Sequence, residues 1–116
     1  VTIKFGLTDN YSKDTIGKLF SKIEPFKITL VSIDIFSNQK FDVVKFNVES
    51  DVLKKLNSLL NKLPNEDEYP TYNPHLTLAY VNSGEGKRFK KQINPIQLSV
   101  NRIKYSNPID KYYYDL

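Results

Sequence analysis

Apolar residues recur along this chain with two different periods, and the switches between them mark out the elements. Val1-Thr2-Ile3-Lys4-Phe5 alternates apolar and polar positions with β-branched side chains, which predicts a strand that Gly6 ends. Lys13 to Ile23 carries Ile16, Leu19, Phe20 and Ile23 at helical spacing. Ser12 is its expected N-cap, Gly17 weakens it and Pro25 stops it. Phe26 to Phe36 returns to alternation, with Ile28, Leu30, Ser32, Asp34 and Phe36 on one face and Thr29, Val31, Ile33 and Ile35 on the other. A turn at Ser37-Asn38-Gln39-Lys40 leads into Phe41 to Val48, the second arm of a predicted hairpin. Ser50 caps a second predicted helix, Asp51 to Lys62. Its apolar set of Val52, Leu53, Leu56, Leu59, Leu60 and Leu63 reads as a core-facing stripe.

Leu63 to Asn73 reads as a loop holding Pro64, Pro70 and the acidic run Glu66-Asp67-Glu68. His75 to Val81 then alternates again. His75, Thr77 and Ala79 share one face, and Leu76, Leu78 and Tyr80 point the other way, toward a core. A turn over Asn82 to Gly86 and a basic patch, Lys87-Arg88-Phe89-Lys90-Lys91, precede a strand from Ile96 to Tyr105. Lys111 to Leu116 closes a last hairpin around Asn107-Pro108. Strand, helix, two strands, helix, three strands is an order that predicts an α+β fold.

The totals narrow the function more than the fold. A length of 116 residues suits a single domain with one core. Cysteine is absent, which excludes a disulfide framework and thiolate metal sites. The longest apolar-rich run, Ile28 to Phe36, is broken by Thr29, Ser32 and Asp34 and is too short to span a bilayer. With a mean hydropathy of -0.45, a cytoplasmic protein with no membrane partner is expected. A net charge of +4 biases it mildly toward anionic partners. The cations are nearly all lysine, with arginine only at Arg88 and Arg102, unlike a dedicated duplex reader. No glycine-rich phosphate loop comes after any strand.

His75 is the only histidine in the chain, and Thr77 stands beside it. The same pattern occurs at the start: Leu76-Thr77-Leu78-Ala79-Tyr80 and Val1-Thr2-Ile3-Lys4-Phe5 both read apolar, Thr, apolar, any, aromatic. A completed repeat would place a histidine before Val1, so the chain is expected to be part of something longer. Pro74-His75-Leu76-Thr77-Leu78-Ala79 resembles the second His-x-Thr motif of the 2H phosphoesterase superfamily. That superfamily includes 2′–5′ RNA ligase-like proteins and cyclic nucleotide phosphodiesterases. Val1 to Gly6 is similar to the residues just after the first motif's histidine, especially in short phage-type members. Many ligase-like members carry arginine where Tyr80 stands.

The resemblance implies two similar α+β lobes facing across a cleft, each giving one His-x-Thr strand. It also implies a metal-independent, cofactor-free phosphodiesterase, monomeric, acting on RNA ends or on cyclic or 2′–5′-linked nucleotides. Two imidazoles on opposite sides of a phosphorus suit in-line displacement, one taking a proton and the other giving one. His75 would be one of that pair, with Thr77 and Thr2 donating to the non-bridging oxygens. Lys4 shares the face of Thr2 and is either a phosphate contact or a solvated lysine. Tyr69 and Tyr72 either stack a base or pack the loop onto the core. Lys87, Arg88, Lys90 and Lys91 either attract a polyanion or form a solvated face. A non-catalytic RNA- or nucleotide-binding module with the same cleft is the alternative function.

Overall fold

Ser12 and Ser50 do what N-caps do: the Ser12 hydroxyl accepts from the Thr15 N–H and the Ser50 hydroxyl from the Leu53 N–H, both at 3.2 Å. They start two helices, α1 (Lys13–Phe20) and α2 (Asp51–Leu60), in the computed structural model, which describes residues 1–67 and 71–116. Both helices stop short of their apolar stripes. Past Phe20 the Ile23 N–H bonds back to the Phe20 carbonyl, and Pro25 bars its predecessor from helix. Leu63 closes the end of α2 in the same way, by bonding to Leu60.

The strands are β1 (Phe26–Ser37), β2 (Phe41–Glu49), β3 (His75–Asn82), β4 (Lys91–Val100), β5 (Arg102–Ser106) and β6 (Lys111–Asp115). The first four form an antiparallel sheet in the order β3-β2-β1-β4, and β5 pairs with β6 in a second, two-stranded sheet. The fold is therefore α+β with antiparallel sheets and two helices, as the element order implied.

Three expectations give way to tertiary effects. Among the described residues, Val1 to Phe5 joins no sheet; nearby Leu7 makes only an isolated bridge to Asn65. The carbonyls of Thr2 and Ile3 accept from side chains instead. Ile96 to Tyr105 is two strands in two sheets, divided at Asn101. β4 also starts earlier, at Lys91, and carries Pro95 inside it. Ser32 pairs with Gln92 and Leu30 with Ile96, so Pro95 falls in an irregular stretch of an edge strand, where a missing N–H is tolerated.

The third correction concerns faces. β1 is bulged between Leu30 and Ser32, and β3 at Leu78, opposite Val44 and Lys45. An extra residue turns every later side chain to the other face. Ile28 and Leu30 thus bury against Val48 and the Leu53 of α2, while Ser32, Asp34 and Phe36 leave that core. Tyr80, expected in a core, is 67% exposed.

A second core joins Ile16 and Phe20 of α1 to Leu56 and Leu60 of α2 and to Ile103 and Tyr105 of β5. Helix α2 serves both cores, Leu53 on one side and Leu56 and Leu60 on the other. Ile3 packs against both clusters, which fixes the first segment along α2.

Candidate active site

Register places three rows of side chains across one face of the large sheet. His75 pairs with Asn47, which pairs with Ser32. Thr77 pairs with Lys45, which pairs with Asp34. Tyr80 pairs with Val43, which pairs with Phe36. Directly opposed residues share a face, and side-chain bonds agree: Asn47 Nδ2 donates to Ser32 Oγ at 3.0 Å and to Asp34 Oδ2 at 3.5 Å. Successive rows lie two residues apart along β2, about 6.7 Å.

This face is one wall of an open cleft of about 670 Å³, within the size range of ligand pockets. His75, Thr77 and Tyr80 line it from β3, Val43 and Lys45 from β2 and Phe36 from β1. Thr2, Ile3, Lys4 and Phe5 line it from the first segment, and Asn57, Asn61, Asp67 and Tyr72 add to it. The structure thus brings His75, Thr77 and Thr2 to one cleft, although Thr2 stands outside the sheets.

His75 opens β3 directly after Pro74, whose ring keeps Asn73 extended. The Pro74 carbonyl accepts from the Val48 N–H at 3.1 Å, which ties the strand entrance to β2. The imidazole Nδ1 lies 3.1 Å from the Asn73 carbonyl. In the tautomer with Nδ1–H donating to that carbonyl, Nε2 keeps a lone pair for proton transfer. Both His75 and Thr77 are exposed.

The first segment is held by side chains reaching its backbone. Asn57 Nδ2 donates to the Ile3 carbonyl at 2.7 Å, and the Tyr72 hydroxyl donates to the Thr2 carbonyl at 2.8 Å. The Glu66 N–H bonds to the Gly6 carbonyl at 2.7 Å. Gly6 sits at φ +81°, and a Cβ there would stand 3.1 Å from the Asp67 nitrogen. Only glycine meets both demands comfortably.

Lys4 lines the cleft, but its ammonium is engaged. It donates to Asn61 Oδ1 at 2.8 Å and Asp67 Oδ2 at 3.1 Å, with the side chain 4% exposed. Lys45 is the cation that the register sets beside Thr77. Tyr72 packs against the sheet core, and burial pushes its hydroxyl up to about 12, so it stays a neutral donor to Thr2. Tyr69 and Glu68 lie outside the described residues.

Lys87 and Arg88 are not among the residues lining the cleft. They belong to a one-turn 3₁₀ helix, Lys87–Phe89, where the Arg88 guanidinium lies over the Phe89 ring at 4.8 Å. That turn is anchored on Asp42, 1% exposed, whose Oδ2 accepts from the N–H groups of Gly86 at 2.8 Å and Gly84 at 3.0 Å. The Gly86 bond above all holds the Asp42 carboxyl below the usual range. Asp34 is likewise lowered, first by the Ile35 N–H and then by Asn47, Lys90 and Lys45. It stays anionic in the middle row, with Lys90 at 3.7 Å.

Sequence reasoning missed Lys45, Phe36 and Tyr80 as cleft residues. Alternation alone put Phe36 with Asp34, but pairing to Val43 and Tyr80 required the register. Among the described residues, no helix is long and apolar enough to cross a membrane.

A family model described as the 2'-5' RNA ligase superfamily matches residues 5–106, a span that includes His75 and Thr77 and begins after Thr2. No curated protein matches the chain, and no solved structure does.

Proposed function

The chain belongs to the 2'-5' RNA ligase superfamily, and from that premise we propose that it is a phosphodiesterase acting on RNA ends or on cyclic or 2′–5′-linked nucleotides. The observation that carries this reading is the shared cleft, lined by His75 and Thr77 from adjacent rows of the sheet face and by Thr2 from the first segment. A phosphate seated between them meets an imidazole and two hydroxyls at once.

The hydrogen bonds support these roles. With Nδ1 on the Asn73 carbonyl, His75 Nε2 takes a proton from the attacking hydroxyl or gives one to the leaving oxygen, according to the direction of reaction. Charge builds on the non-bridging oxygens as the bond order at phosphorus changes. Thr77 and Thr2 donate to those oxygens, and Lys45 adds positive charge beside Thr77. The opposite proton transfer requires a second acid–base group on the Thr2 side of the phosphate. Lys4 acts by holding the Thr2 segment against Asp67. Acid–base chemistry of this kind needs no metal ion.

The test is hydrolysis of nucleoside 2′,3′-cyclic phosphates and 2′–5′-linked dinucleotides by the protein and its His75→Ala and Thr77→Ala variants, with a chelator as a parallel arm. Losing the general acid–base group should lower kcat about 10²- to 10⁴-fold. Rates unaffected by His75→Ala on every phosphodiester, or abolished by the chelator, would overturn the assignment.

A further inference from the structure

β4 ends the large sheet on one side, and among the described residues no strand pairs with its outer edge. Natural sheets guard such edges with charge, proline or a bulge, because the unpaired N–H and C=O groups otherwise recruit another chain. All three guards occur in β4, and all lie in its first half: Lys91, Pro95 and the irregular register between Gln92 and Ile96. The second half is regular and unguarded. Ile96, Gln97, Leu98, Ser99 and Val100 pair without a break with Leu30, Thr29, Ile28, Lys27 and Phe26 of β1. No residue from Gln92 to Asn101 is charged, in a chain that is 26% charged.

The side chains are as open as the backbone. Ile96 and Leu98 oppose Leu30 and Ile28, so they share the face that α2 covers. Leu30 and Ile28 pack with Leu53 and are each 4% exposed, whereas Ile96 is 45% exposed and Leu98 40%. The apolar face thus continues one strand beyond its cover. Such an edge fits a partner that brings both a strand and an apolar row.

β4 itself meets that description. Antiparallel pairing about a two-fold axis at Leu98 sets Leu98 against its own copy and Ile96 against the partner's Val100. Gln97 then meets the partner's Ser99 on the other face. Apolar meets apolar, polar meets polar, and no charge enters the seam. The contact is isologous, so it closes at two chains.

We propose that this chain dimerises by edge-to-edge pairing of β4 across a two-fold axis at Leu98, giving one continuous eight-stranded sheet. The family resemblance implied a monomer; the unguarded edge and the uncovered apolar row favour the pair. β3, which carries His75, lies at the opposite end of the sheet order, so the seam leaves both copies of that strand free.

Sedimentation equilibrium from roughly 1 to 500 µM covers the affinities that small interfaces reach. Wild type should pass from monomer to dimer mass across that range, and amide exchange at residues 96–100 should slow as concentration rises. Leu98→Lys sets like charges face to face at the axis and should weaken association roughly 100-fold or more. Leu98→Glu should do the same. An equimolar mixture of the two variants should recover dimer mass, since lysine then opposes glutamate. Leu78→Lys, on the other edge strand at a position 49% exposed, should associate like wild type. A monomer at every concentration, a dimer that survives Leu98→Lys, a mixture that stays monomeric, or association lost in Leu78→Lys would each overturn the proposal. The exchange readout on wild type needs no substitution, so it decides the matter even where a variant unfolds.

Discussion

Replacing Asn57 by leucine keeps the number and branching of the side-chain heavy atoms and removes the amide that donates to the Ile3 carbonyl, a bond of 2.7 Å. The segment concerned carries Thr2 and, among the described residues, joins no sheet, so each such bond matters to where the hydroxyl sits. Losing the bond costs about 1 kcal/mol net, and a stranded, partly buried carbonyl brings the figure to roughly 1–3 kcal/mol. Tyr72→Phe removes a comparable bond of 2.8 Å to the Thr2 carbonyl. Thr2 is exposed and its carbonyl can rehydrate, so the loss there is nearer 1 kcal/mol. Both bonds hold the same few residues. Once the segment lifts from α2, both are lost together, and the double variant should fall short of the sum by about 0.5–1 kcal/mol. The assay is a urea series on the four proteins, with hydrogen exchange at the amides of residues 2–5. Protection there should drop before the sheet is affected, and kcat/KM should fall with it. Strict additivity with wild-type exchange at residues 2–5 would contradict this account, and would mean that other contacts, the Lys4–Asp67 pair first among them, hold the segment.

Gly86→Ala should destabilise the protein by about 1–3 kcal/mol, since a Cβ would stand 2.8 Å from the Asp42 Cβ and 3.1 Å from Ile35 Cδ1; a urea midpoint equal to wild type would contradict that packing. Alkaline pH should weaken the fold through Tyr72. Its folded hydroxyl is raised to about 12 by burial, against 10.0 for an ordinary tyrosine, so the stabilisation is complete below pH 10 and is lost as pH rises toward 12. Melting temperatures from pH 9 to 11.5 should therefore decline less steeply in Tyr72→Phe than in wild type.

Local chemistry made the framework legible. Two serine caps, two apolar stripes and the Ser37–Lys40 turn are read from spacing because helices and hairpins are set by near neighbours. His75 and Thr77 were legible for the same reason: they are two residues apart on one strand with no irregularity between them. Lys4 reads from sequence on the face of Thr2, and both line the cleft, but its ammonium is committed to Asn61 and Asp67, at separations of 57 and 63 residues along the chain. Long-range pairing of that sort leaves no trace in local pattern. The basic patch at Lys87 and Arg88 reads from sequence as either a polyanion contact or a solvated face, because charge is visible there; its placement off the cleft is not.

The helices, the hairpins, the α+β class and the His-x-Thr pair are all written in the order of residues, because they come from periods and caps acting over a few positions. The faces that the strands show are settled elsewhere, in the packing of strand on strand. Two single-residue bulges, at Val31 and Leu78, turn Phe36 and Tyr80 into the cleft beside His75. A bulge is selected by how neighbouring strands fit and what they bury, and alternation read from one strand cannot reveal it.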